Sequence, residues 1–499
     1  MSIKAKTSSG IFWNILANSS IQLANLLVFV LLARQLSLNE FGVVMLAVLV
    51  VNFFTIFVKE GVVEHLVQRD TVDDVFLSTA FWLTLGGGLL LTVAIAGVVA
   101  PIMGAIFGWQ LTAYLQALSP VILFGATSVV QLALVRREFK FRVTAMRNFL
   151  NGVITALVAL ALAALGFGAW ALILSRVVGA LGAAVLLWIA EHFSLRLVFS
   201  AAASREILTF SAPIVGSRLM SYLATKVAEL LLAFFLGPAS LAIYRVGGRI
   251  VEALNALLLH PIISVALTSF SRVKRERLGA AFTRLCAVLF AFALPIYYGA
   301  GAIAPDVMHV FFGAKWADSA LVMTLLCLSA GAQMLRTIIP AALKAADATR
   351  LLYNFSFVEV LSGMFWSLVT VAFGPAAVAL GALIDPHGSL LVNRNILRGV
   401  LSLRLVDVLG TVWAYVVAAL IMVVGVQIFV FFIATNMQPI ARLFASIALG
   451  GVLYCGSLLV IGRPALRSLV FEVGPLVPRR LQPIVALAER LLGAATVKE

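Results

Sequence analysis

Long apolar runs, broken by short polar segments, account for nearly all of this chain. A helix needs about 20 apolar residues to cross the hydrocarbon core of a bilayer. Fourteen runs reach that order of length. The first six predicted spans are Ile11–Leu32, Phe41–Val58, Val75–Ala100, Ala113–Val135, Arg147–Leu165 and Gly168–Ala190. The next four are Ile207–Leu236, Leu241–Phe270, Ala281–Ala304 and Ser319–Leu343. The last four are Leu352–Phe373, Pro375–Val392, Val408–Ile433 and Pro439–Ile461, followed by a short tail.

The polar exceptions inside these runs stand out because a membrane-embedded charge costs roughly 2.5–3.5 kcal/mol on insertion scales. Span 7 carries Arg218, Lys226 and Glu229. At 100° per residue, Arg218, Tyr222, Thr225 and Glu229 form one stripe with Lys226 at its edge. That stripe should face a wet cavity or another helix, and Pro213 predicts a kink one turn in. Span 1 carries an amide stripe of Asn14, Asn18, Gln22 and Asn25. Span 8 sets Arg245, Arg249 and Glu252 on one face, span 10 holds Arg336, and span 6 holds Arg176. In span 12, Asp385-Pro386-His387-Gly388 is predicted to interrupt the helix, because proline removes a backbone bond and glycine adds freedom.

Composition settles the class: 63% hydrophobic and 11% charged residues describe an integral membrane protein, not a set of soluble domains. The net charge of +15 would suggest nucleic acid in a soluble chain. Here it falls on alternate loops, among them Arg136, Arg137, Lys140, Arg142, Arg272, Lys274, Arg275 and Arg277. The opposite loops hold only Arg34, Lys315 and Arg442. That asymmetry predicts both termini in the cytoplasm and an even number of spans. The first apolar run is too long for a signal peptide and reads as an uncleaved span. Three dispersed cysteines suggest neither disulfides nor a metal site. Glu60, Glu64, His65 and Asp70 fall in a mixed-charge loop, where a solvated face explains them better than a metal.

The chain repeats itself. Ala33–Val48 aligns with Ala233–Gly248, Gly97–Trp109 with Gly301–Trp316, and Leu165–Leu174 with Val371–Leu380. The order is kept, so six spans are duplicated in one orientation. The predicted fold is an all-α polytopic membrane protein with two pseudo-repeated six-helix lobes around a central cleft and two appended helices. Residues 1–200 and 201–405 are the lobes, 406–462 the extra spans, and 463–499 a cytoplasmic tail able to lie on the membrane as an amphipathic helix.

Fourteen spans, the parallel repeat, the LSLNEFG turn after span 1 and the FSAP…GSR…LGPASLAIY segment resemble the Wzx-type oligosaccharide flippases. More narrowly they resemble the colanic-acid and succinoglycan kind of polysaccharide exporter, within the multidrug/oligosaccharidyl-lipid/polysaccharide exporter superfamily. The resemblance implies flipping of undecaprenyl-diphosphate-linked repeat units across the bacterial inner membrane by alternating access. It also implies a lipid-linked substrate, with surface-polysaccharide polymerase and export machinery as partners; two lobes in one chain make a monomer sufficient but not obligatory.

Arginine presents a planar fork of donors that fits phosphate oxygens and stays charged, so Arg218, Lys226, Arg249 and Arg336 are the candidate diphosphate ligands. Pairing within the protein is the competing reading: Lys226 with Glu229 and Arg249 with Glu252 sit three residues apart, and Arg245 is placed to snorkel. These bases outnumber the embedded acids Glu229, Glu252, Glu359 and Asp385, which favours an anion. Asn14, Asn18, Gln22, Asn25 and Tyr222 are candidates for sugar hydroxyls, amides also being helix-to-helix glue. Asp385, His387 and Glu229 are candidates for ion coupling. No nucleotide loop, catalytic elbow, metal motif or cofactor site is legible, so transport and not catalysis is expected. The alternatives are a lipid II flippase, a cation-coupled multidrug exporter and, less well matched by the short outer loops, a membrane glycosyltransferase or polymerase.

Overall fold

The computed structural model describes residues 25–467. Eleven helices among them are long and apolar enough to cross a membrane, and two bent pairs bring the number to thirteen. These thirteen coincide with predicted spans 2 to 14; of span 1, the described part is α1, Asn25–Gln35. The described residues contain no strand. The all-α polytopic expectation therefore holds. The chain divides into two units, residues up to Arg245 and residues from Val246.

The first unit contains α2 (Leu38–Lys59), α3 (Val62–Gln68), α4 (Asp74–Ala94), α5 (Ala100–Phe107), α6 (Trp109–Leu118), α7 (Pro120–Ala126) and α8 (Val129–Arg137). It continues with α9 (Phe141–Ala164), α10 (Ala169–Ala190), α11 (Ala201–Leu236) and the first turns of α12 (Pro238–Leu254). Ser37 starts α2 with a reciprocal cap: its hydroxyl accepts from the Glu40 amide at 3.2 Å, and the Glu40 carboxylate accepts from the Ser37 amide at 3.0 Å. Phe41–Leu49 is buried on every face, as expected of a helix at the centre of its unit. Gly42 lies against the start of α12: a β-carbon there would sit 1.9 Å from the Pro238 carbonyl oxygen. The two motifs LSLNEFG and LGPAS thus touch backbone to backbone.

α11 has 36 residues and passes through Pro213 without a break in helical backbone. At 1.5 Å per residue it is about 54 Å long, well beyond a ~30 Å hydrocarbon core. Its lower half is docked on α2 and α3. A β-carbon on Gly61, between those two helices, would lie 2.6 Å from Ser211.

The second unit contains the rest of α12, then α13 (His260–Phe270), α14 (Leu278–Ala302), α15 (Ala304–Val307), α16 (Ala317–Leu328), α17 (Ala330–Ala345), α18 (Thr349–Val371) and α19 (Pro375–Val392). It ends with α20 (Arg394–Leu401), α21 (Leu405–Phe432) and α22 (Pro439–Ile461). α14 runs through its core, with Phe282, Leu289, Leu294 and Tyr297 at most 1% exposed. The appended spans α21 and α22 pack on it. The Tyr454 hydroxyl donates to the Ala291 carbonyl at 2.9 Å and the Gln427 amide to the Ala302 carbonyl at 2.8 Å.

The repeat reappears in backbone detail. Gly108 and Gly313, aligned in the sequence, have φ of 102° and 96°, and Gly168 and Gly374 have 54° and 101°. Each opens a helix from a conformation that a side chain would strain. Spans 4 and 10 bend by 40° and 49° at Thr127–Ser128 and Ser329. At both bends a hydroxyl, of Thr127 and of Ser329, donates to the carbonyl three residues back, at 2.9 and 2.7 Å.

The predicted interruption in span 12 is overturned. α19 is helical from Pro375 to Val392, straight through Pro386 and Gly388. A proline removes one backbone bond, and the remaining bonds are too costly to break where no water replaces them. The Ser389 hydroxyl donates to the Pro386 carbonyl at 3.0 Å and helps hold the turn.

Candidate functional site

The embedded bases of the first unit meet carboxylates on neighbouring helices. Arg218 reaches Glu60, at the end of α2, with an N–O distance of 3.2 Å. This pair is open: the Arg218 side chain is 59% exposed. One turn up the same stripe, the Tyr222 hydroxyl donates to the Leu49 carbonyl of α2 at 2.8 Å, and its ring packs on Phe53. The stripe of α11 therefore lies along α2. Two turns higher, Glu229 is buried and accepts from Lys226 at 2.7 Å. Arg245, from α12, closes on the same carboxylate at 3.2 Å. Its side chain is 16% exposed, so the expectation that it snorkels is overturned. Two cations thus meet on one carboxylate.

The second unit holds the opposite arrangement. Arg336 of α17 reaches Glu359 of α18 at 2.6 Å through Nε and Asp385 of α19 through Nη1. Asp385 also accepts from the Ser362 hydroxyl. One guanidinium joins two carboxylates, so the cluster is one negative charge in excess when both are ionised. α18 and α19 meet closely at Gly363, whose added β-carbon would touch Asp385. His387 is exposed, on the other side of α19 from buried Asp385, and its Nδ1 bonds to the Leu383 carbonyl at 2.8 Å. The structure does not bring Asp385 and His387 together. Arg249 pairs with Glu252 at 3.2 Å, one turn along its own helix.

The surplus of embedded bases counted from the sequence is thus largely answered. Arg218, Lys226, Arg245, Arg249 and Arg336 each reach a carboxylate, and Arg176 is not without a partner. Glu60, assigned to a solvated loop, is one of the answering acids. Arg245 and Glu359 are the site residues the sequence missed as partners. Asn25 is half-buried on α1; Asn14, Asn18 and Gln22 lie outside the described residues. Glu60, Glu64, His65 and Asp70 form no metal cluster, and the described residues hold no group of three or more metal-ligating side chains. Glu64 accepts from the Gly61 amide at 2.8 Å, and His65 faces Glu206 at 3.3 Å.

A duplicated bundle of membrane-spanning helices with ion-paired charges inside its spans defines a multi-pass membrane protein of the transporter type. Residues 31–321 match the family described as polysaccharide biosynthesis protein, and the chain belongs to that family. It is 26% identical to the succinoglycan biosynthesis transport protein ExoT of Rhizobium meliloti (strain 1021), over 94% of this chain and 96% of the relative. It is 24% identical to the lipopolysaccharide biosynthesis protein WzxC of Escherichia coli (strain K12), over 66% of this chain and 67% of the relative. Among solved structures, the lipid II flippase MurJ in an inward closed conformation aligns with a TM-score of 0.71 at 15% identity, covering 92% of this chain and 98% of that one. An inward-facing multidrug resistance transporter of the MOP superfamily aligns with a TM-score of 0.58 at 15% identity, covering 78% and 98%. The resemblance to Wzx-type polysaccharide exporters of that superfamily is borne out.

Proposed function

We propose that this protein is a flippase that moves undecaprenyl-diphosphate-linked oligosaccharide repeat units across the bacterial inner membrane for surface polysaccharide. The observation that supports it most is the family match, joined to near full-length similarity to a relative named for succinoglycan transport. The site chemistry is compatible. A diphosphate can replace Glu60 on Arg218, because that pair is half open and an exposed pair holds by only about 0–1 kcal/mol. In this reading Arg218, Lys226, Arg249 and Arg336 serve the diphosphate, and Asn14, Asn18, Gln22, Asn25 and Tyr222 serve the sugars. Residues 1–200 and 201–405 act as the two rocking halves around a cleft, both termini face the cytoplasm, and the polymerase and export machinery receive the product.

The cluster of Glu359, Asp385 and Arg336 supports a second element, coupling to a cation or proton, because its two carboxylates share one base. A cation-coupled drug exporter would use the same feature.

A gene deletion tests the proposal. Loss of surface polysaccharide with diphosphate-linked repeat units retained on the cytoplasmic side, restored by the wild-type gene, is the expected result. Intact polysaccharide with altered drug tolerance would instead identify a drug exporter.

A further inference from the structure

Three cations of the first unit form no ion pair among the described residues. Lys59 is the last residue of α2, Arg136 lies in the last turn of α8, and Arg147 lies in the second turn of α9. Arg136 and Arg147 both repel Lys59, and Arg136 repels Arg147, so the three lie within mutual electrostatic reach. Three bases nearby are engaged instead. Arg137 donates to the Leu66 carbonyl at 3.1 Å and the Asp70 carbonyl at 2.6 Å. Lys140 bridges Glu138 and Glu191 at 2.7 and 2.6 Å, and Arg69 holds Glu206 at 2.9 Å.

The two carboxylates that attract Lys59 also bond elsewhere. Glu60 is paired with Arg218, and Glu64 accepts from the Gly61 amide. Arg147 Nε is buried and has no hydrogen-bond partner. Thr144, one turn earlier on the same face of α9, has a buried hydroxyl in the same condition. A buried charged donor without an acceptor is costly. Cations at helix C-termini complement the backbone dipole, which accounts for Lys59 and Arg136 singly. It does not account for Arg147, near the start of α9, nor for three cations drawn together.

We propose that Lys59, Arg136 and Arg147 form a binding site for a phosphoryl anion, where α2 and α8 end and α9 begins. Such an anion supplies acceptors for the guanidinium forks and cancels the repulsion. Exposed Arg136 leaves the group open to a ligand from outside. The same chemistry is offered by a lipid diphosphate headgroup and by soluble phosphate or diphosphate. The inference does not rest on the transport reading: binding is measured without translocation, so either can fail alone.

The test uses purified full-length protein in phosphatidylcholine nanodiscs, following the thermal midpoint and binding affinity. One arm adds inorganic pyrophosphate; the other incorporates a polyprenyl diphosphate in the bilayer. The expected result is a rise in midpoint in at least one arm, with affinity falling about ten-fold for each of Lys59→Gln, Arg136→Gln and Arg147→Gln. A rise only with the lipid identifies a headgroup site, and a rise only with pyrophosphate a soluble-anion site. Without any anion, Lys59→Gln and Arg136→Gln should raise the midpoint, because each relieves repulsion. Arg142→Gln, outside the group, should change none of these. No rise in either arm, a full response in the triple variant, or a lower anion-free midpoint in both single variants would overturn the site.

Discussion

Glu229 and Arg245 stand sixteen positions apart, on opposite sides of the Gly237 turn, and their side chains meet at 3.2 Å. The contact ties α12 to α11 and puts two cations on one buried carboxylate. Removing one partner of a buried ion pair typically costs about 3–5 kcal/mol, since the other is left without compensation. Glu229→Ala should therefore lower the thermal midpoint strongly, and Glu229→Gln less, because an amide still accepts from Lys226 and Arg245. Restoring stability by adding Arg245→Leu to Glu229→Ala would confirm that unpaired charge is the cause. Equal midpoints for wild type and Glu229→Ala would refute the pairing.

Much of this arrangement was legible in sequence, and what escaped has a common reason. The spans followed from run length alone. The repeat followed from glycines and prolines kept in the same order, and Gly108 with Gly313 shows why: both positions need a backbone that side chains resist. Arg218, Lys226, Glu229 and Arg336 were visible because charges are rare in apolar runs. Their partners were not. Glu60 belongs to α2 and Glu359 to α18, and a helical period says which residues share a face, not which helix that face meets. The same limit hid the fate of Pro386: the cost of breaking a helix depends on whether water reaches the freed backbone, and the sequence does not say.

Gly42 faces the Pro238 carbonyl so closely that an added methyl would lie 1.9 Å from its oxygen. Both sides of that contact are backbone, so no rotamer change relieves it. Gly42→Ala should prevent normal accumulation in the membrane or drop the midpoint by many degrees. Gly87→Ala, with nothing within 4 Å, is the matched control and should be close to neutral. Indistinguishable midpoints for the two variants would show that α2 and α12 do not pack this way.

Arg442 opens α22 and grips Asp306 of α15, with Nε at 2.8 Å and Nη2 on the same oxygen. Asp306 is 3% exposed, so Arg442→Ala leaves a buried carboxylate unpaired, again at about 3–5 kcal/mol. Arg442→Ala combined with Asp306→Ala should recover part of the loss. A double-mutant cycle on thermal midpoints gives the coupling directly, and additive losses would mean the two residues do not interact.

Arg218 and Arg336 separate function from structure. Arg218 is largely exposed and its bond to Glu60 is worth about 0–1 kcal/mol, so Arg218→Ala should leave membrane abundance and midpoint nearly unchanged. If it serves an anionic headgroup, surface polysaccharide should still fall sharply. Arg336 is buried between Glu359 and Asp385. Arg336→Ala should lower stability and polysaccharide together, because two carboxylates are then left facing each other. Asp385→Asn tests coupling at that cluster: it keeps a partner for Ser362 and removes the excess negative charge. Loss of transport at normal abundance in Asp385→Asn would mark the cluster as part of the transport cycle. Normal transport in both Arg218→Ala and Asp385→Asn would leave these charges with a packing role alone, and would move the search for headgroup ligands to Lys226, Arg245 and the Lys59, Arg136 and Arg147 group.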